Sequence, residues 1–141
     1  MTQITSAQAQ TIIDTCMAKG AEMGLRPLAV VVLDAGGHVK AFARADGASP
    51  GRFKIAHGKA YGSVMLGMPG SAQMKRAEEQ AYFMAAVNGV YDGQVIPVPG
   101  GVLVKDGEEV IGAVGVTGDT SENDADCALA GLAAAGLHGV A

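Results

Sequence analysis

The ten residues "RFKIAHGKAY", 52 to 61, gather Arg52, Lys54, His57, Lys59 and Tyr61 in a chain otherwise rich in Ala, Gly, Val and acidic residues. Imidazole moves protons near neutrality and ligates heme iron. A guanidinium fork and an ammonium suit a carboxylate or a propionate. A helix over 52–66, with roughly 100° between successive side chains, decides which of these groups act together. Phe53, His57, Ala60, Tyr61 and Val64 share one side; Arg52, Ala56, Lys59 and Ser63 share another. Ile55, Gly58, Gly62 and Leu66 form a third, whose glycines let a neighbour come close.

His57 and Lys59 therefore point apart, and the basic run holds two separate candidate sites. The first is an aromatic face with His57 as ligand or general base, lined by Phe53 and Tyr61. The second is an anion site built on Arg52 and Lys59. Each has a plainer alternative. His57 also reads as a core histidine bonded to a backbone group, and Lys59 as a structural cation tied to the acidic start of the last helix. Lys54 reads as plain surface.

A third candidate is "PVPGG", 97 to 101. Its prolines, Pro97 and Pro99, stiffen the loop, and Gly100 and Gly101 could present backbone N–H groups to an anion. A turn that only shapes the following hairpin is the equal alternative. No Gly-Lys-Ser/Thr follows, so it is not a P-loop. His38, His57 and His138 lack metal-ligand spacing, and no metal site is expected. Cys16 and Cys127 are isolated and read as buried free thiols.

The elements that must carry these residues follow from periodicity. Thr5 with Gln8 forms a capping box that opens a helix over about 6 to 24. "LAVVVLD", 28 to 34, is a continuous apolar run that reads as a strand covered on both faces. "AGG" turns the chain into the return strand "HVKAFAR". After the 52–66 helix, Ser71 is expected to cap another running to about Asn88. "DGQVIPVPGG" is an irregular connection, and "GVLVK", Asp106-Gly107 and "EEVIGAVGVTG" make a second hairpin. "DTSENDADCALAGLAAAGL" closes as a helix with acidic residues at its positive end. The expected fold is α+β, a single antiparallel sheet of about four to five strands flanked by helices, in the order α-β-β-α-α-β-β-α. Two helix–hairpin–helix halves suggest a loose architectural duplication.

The chain has 141 residues and is expected to form one domain over 1–141. Aromatic residues are 4% of it, and charged residues 17%, below the usual quarter of a soluble domain. So weakly charged a surface implies a homo-oligomer, and one face of the last helix is the expected subunit contact. The net charge of −4 argues against nucleic acid and anionic membranes as partners. There is no run long enough to span a membrane and no basic, apolar leader at the N-terminus, so a cytoplasmic location is expected.

"IAHGKA", "PVPGGVLV" and "VIGAVGVTGDTSENDADCALAG" together resemble the GlcG/HbpS family, the heme-degradation-associated group that includes PduO-type C-terminal domains. The resemblance spans almost the whole chain. It implies a compact α/β domain with an antiparallel sheet, higher homo-oligomers, and heme or another tetrapyrrole as ligand in some members. It supports Lys59 and supplies no fixed histidine at position 57. Two departures stand out: Gly62 and Ser63 replace the usual Thr-Ala, and Ala125 follows Asp124 where an acidic residue is common. The leading functional expectation is a small-ligand-binding homo-oligomer, with heme as candidate cofactor and an anionic small molecule as the broader class. The alternatives are a cofactor-free isomerase, lyase or hydratase on a small carboxylated metabolite, with His57 and Lys59 catalytic, and an operon-associated accessory protein.

Overall fold

The computed structural model describes residues 2–141. The chain runs α1 (Ser6–Glu22), β1 (Ala29–Asp34), β2 (Val39–Arg44), α2 (Arg52–Leu66), α3 (Gly70–Glu79), α4 (Ala81–Val90), β3 (Gly101–Asp106), β4 (Glu109–Thr117), α5 (Ser121–Ala134) and β5 (His138–Val140). The strands form one antiparallel sheet in the order β2-β1-β4-β3-β5. This is the expected α+β architecture.

The sheet is the middle of three layers. Side chains alternate across a strand, so the continuous apolar run of β1 serves both faces. Val30 and Val32 join Val102, Val104, Val114 and Val116 beneath α1 and α5, where Ile12, Cys16 and Leu132 close the larger core. Val31, Leu33 and Ala113 face the other way, against Ala56 and Ala60 of α2. The first helix opens as its capping box predicts: Gln8 N donates to Thr5 Oγ1 at 3.0 Å, and Thr5 N donates to Gln8 Oε1 at 3.0 Å. It stops at Gly24, in the left-handed region at φ 67°, before Arg26-Pro27 is reached.

Three local features differ from expectation. The helix read across 71–88 is two helices. Gln80, at φ −139° and ψ 61°, ends α3 and starts α4. The break lets α4 turn its own Met84 and Val87 inward. Pro69, not Ser71, stands at the N-cap of α3, with no side-chain cap. The tail after Gly136 adds β5 to the edge of β3, where Leu103 pairs with Val140 and Lys105 with His138. The last helix packs on α1 and the sheet within the chain. Among the described residues, no helix is long and apolar enough to cross a membrane.

Candidate functional site

Helix α2 starts at Arg52 and ends at Gly67, which takes up the left-handed conformation at φ 64° that favours glycine. Its three faces meet three different surroundings.

The aromatic face is a continuous row. Phe42 meets Phe53 edge-on, with ring centroids 4.8 Å apart. Phe53 and His57 are 5.8 Å apart, and His57 stacks on Tyr61 at 5.2 Å with 20° between the planes. Tyr91 then meets Tyr61 edge-on at 6.0 Å. The row is more than core filler, because one side of it is open. Phe53, Lys54, Ile55 and His57 line a cleft of about 550 Å³ whose opposite wall is Asp92, Gly93, Gln94 and Ile96.

The glycine face builds that opposite wall. Gly58 leaves room for Ile96 and the Gln94 carbonyl, and Gly62 for Val95 and Gln73. The approach predicted from the paired glycines is thus made by the segment after α4. Ile96 N donates to the Gly58 carbonyl at 3.2 Å, which fixes the wall to the helix. The rim turns through two left-handed residues, Asp92 at φ 58° and Gly93 at φ 75°. Aspartate tolerates that conformation better than most residues.

His57 is half-buried, and its ring makes no side-chain hydrogen bond among the described residues. Burial lowers its pKa below the ordinary imidazole value. The shift favours the neutral ring, whose nitrogen lone pair can meet a proton or a metal. Lys54 stands exposed at the same cleft and supplies its cation.

The third face leads elsewhere. Lys59 is 3% exposed, and its ammonium donates to Asp124 Oδ2 at 3.1 Å and to the Val116 carbonyl at 3.0 Å. Asp124 is fully buried and also accepts from Asp119 N at 3.0 Å. Burial pushes the Lys59 pKa down and that of Asp124 up, and their mutual attraction opposes both shifts. The ammonium is thus tied to the acidic start of the last helix, the structural alternative weighed for it. Gly100, at φ 111°, and Gly101 lie against the Lys59 side chain and backbone. With Pro99 they line a separate shallow cleft of about 240 Å³, shared with Ser71, Glu122, Ala125 and Asp126.

Arg52 donates from Nη1 to Thr117 Oγ1 at 3.1 Å and borders a third cleft of about 230 Å³, beside Arg26 and Ser49. Arg26 is already paired there with Asp119 at 3.5 Å. Hydrogen bonds from Asn123 and from backbone N–H groups hold the Asp119 carboxyl well below the usual range. The structure thus brings His57 and Phe53 to one cleft, with Tyr61 stacked behind. It places Arg52, Lys59 and the Pro99–Gly101 turn away from it. Lys54 is exposed, as a surface residue should be, and also borders the cleft, while the Asp92–Ile96 wall is the part that sequence reasoning missed. The Asp92-Gly93 turn signal was visible, but not its place against α2.

The helix-covered antiparallel sheet thus carries an imidazole in an aromatic row that is open on one side to a walled cleft. A family model described as "Haem degrading protein HbpS-like" matches residues 4–133, and the chain belongs to that family. Among solved structures it is similar to HbpS, at 25% identity and a TM-score of 0.82, covering 94% of this chain and 90% of that one. It is similar to Klebsiella pneumoniae protein ORFY, at 27% identity and a TM-score of 0.87, covering 96% and 93%. The fold is shared with PduOC, solved as a heme complex, at 19% identity and a TM-score of 0.87, covering 97% and 98%. No curated protein matches by sequence.

Proposed function

We propose that the protein is a small-ligand-binding homo-oligomer that takes heme or a related tetrapyrrole in the cleft beside His57. The observation that carries this reading is the half-buried His57 imidazole on the wall of the 550 Å³ cleft, within the aromatic row. That volume lies inside the usual range for small-molecule sites. The donor set also suits the group. His57 offers a nitrogen to iron, Phe53 offers an aromatic face, and Lys54 offers an ammonium to a propionate. When bound, the heme would supply an iron able to accept a nitrogen lone pair. The chain's own contribution is to hold His57 deprotonated and to orient it by stacking on Tyr61. Family membership and the heme complex of PduOC support the same ligand class.

A proton-transfer enzyme using His57 with Lys59 is less well supported, because the Lys59 ammonium is enclosed with Asp124 on another face of α2. The test is a hemin titration followed by absorbance. A saturable Soret shift is expected, lost in His57→Ala and kept in His38→Ala and His138→Ala. A shift that survives His57→Ala would overturn the assignment of His57, and no saturable shift would overturn heme as ligand.

A further inference from the structure

Helix α4, "AYFMAAVNGV", carries no charge. Met84 and Val87 point inward, and within the chain the helix packs substantially only against α3. At 100° per residue its outward face is Tyr82, Ala85, Ala86, Gly89 and Val90, all exposed. Tyr82 is 75% and Val90 73% exposed, and Phe83 at the edge is 41% exposed beneath the Arg76 guanidinium. Single exposed apolar residues are ordinary, but a whole uncharged helix face is not.

We infer that this face docks the same face of a second copy of the chain, with the two α4 helices antiparallel about a two-fold axis. The shape of the face carries the choice of occupant. Tyr82 is a large knob near one end. Gly89, seven residues and two turns later on the same side, is a hollow with nothing within 4 Å of where a Cβ would stand. Ala85 and Ala86 lie between them and allow close approach. An antiparallel pair centred between Ala85 and Ala86 sets each Tyr82 over the other copy's Gly89, so the surface is complementary to itself. That is the condition for an isologous contact. The two tyrosines contribute on the order of 150–250 Å² each when buried, and the exposed Val90, Ala85 and Ala86 of both copies extend the buried area toward the roughly 1,000 Å² of a specific interface. A helix without charges has nothing to select an oppositely charged partner.

The contact also reaches the ligand site. Gly89 lies two residues before Tyr91, which edges Tyr61 in the aromatic row, and three before Asp92 on the cleft rim. Tyr82 of the second copy therefore covers the rim from outside. The inference rests on the reading of the chain as a homo-oligomeric ligand binder, and its tests do not require a ligand.

Sedimentation velocity over a micromolar concentration series is expected to show an assembly of wild type that Gly89→Glu dissociates, with an unchanged far-ultraviolet circular dichroism spectrum. Ala85→Cys is expected to form a disulfide-linked dimer under mild oxidation, since residues near the axis come within disulfide reach. Lys40→Cys, on β2, is expected to stay monomeric on the same gel. The chain has no tryptophan, so Tyr91→Trp gives a single reporter whose emission should move to the blue as the assembly forms. A monomeric wild type, an assembly indifferent to Gly89→Glu, or an Ala85→Cys protein that does not cross-link overturns the interface. A reporter that does not respond to assembly overturns the covered rim. Failure of hemin to bind would sink the heme reading alone, because none of these readouts uses hemin.

Discussion

Replacing Lys59 with methionine keeps most of the side-chain volume and removes the charge. Asp124, at 0% exposure, is then left with one hydrogen bond, from Asp119 N, and no cation. Breaking a buried pair from one side costs about 3–5 kcal/mol, because the remaining charge is uncompensated. Against a total stability of roughly 5–15 kcal/mol, that is a large share. With a urea dependence of about 2 kcal/mol per molar, the unfolding midpoint of Lys59→Met should fall by about 2 M. Equilibrium urea unfolding followed by circular dichroism measures it. The double variant Lys59→Met/Asp124→Asn should recover much of the loss, since it removes the stranded charge and keeps an acceptor for Asp119 N. The pH dependence has a definite sign. Burial already raises the Asp124 pKa, and without Lys59 the hydrogen bond from Asp119 N is left to oppose it without a cation. A carboxyl whose folded pKa is raised contributes stability at acid pH that is lost as pH rises through the folded value. The gap between Lys59→Met and wild type should therefore narrow as pH falls toward the carboxylate range. A loss under about 1 kcal/mol at pH 7, or a gap that widens in acid, would refute the buried-pair account.

Three further outcomes follow from the same geometry. Gly115→Ala should destabilise strongly or prevent folding, because its Cβ would strike the Ala56 carbonyl of α2, a backbone atom that cannot move aside cheaply; soluble yield and thermal unfolding report it. Burial pushes the Cys16 thiol up to about 12, so it should resist a thiol reagent at pH 8 in the native protein and react on unfolding in urea. The His57 ring should titrate below its ordinary value by NMR. A depressed imidazole pKa gives stability that is present above the unfolded value and lost as pH falls through the folded one. A His57→Gln variant should therefore lose less stability than wild type on acidification below about 6.5.

Much of the fold was legible because strong periodicity and turn chemistry coincide. Helix α2 was expected over 52–66 and runs Arg52–Leu66. The capping box at Thr5 and Gln8 and both hairpins were also written locally, although the second turn falls one residue later, at Gly107-Glu108. The break at Gln80 was not legible, since neither proline nor glycine marks it. Strand β5, at three residues, is too short to show a period. For the site, helical geometry correctly separated His57 from Lys59, and the tie between Lys59 and the last helix was among the alternatives. The far wall of the cleft was hidden for a different reason. Asp92–Ile96 has no pattern of its own, and its position depends on a contact with Gly58 more than thirty residues earlier.

The glycines beneath α2 bear on how such a protein can change its ligand. Gly101 and Gly115 pair across β3 and β4, and a Cβ on either would collide with a carbonyl of α2. At these two positions the helix lies on the sheet backbone to backbone, with no side chain between them to be exchanged for a longer or shorter one. Its height and tilt are therefore closed to gradual substitution, and so is the position of His57. The opposite wall is an irregular segment with exposed Asp92, Gly93 and Gln94, where residues can be swapped or inserted without disturbing the core. Variation in what relatives of this chain accommodate should concentrate on that wall, while α2 keeps its seat.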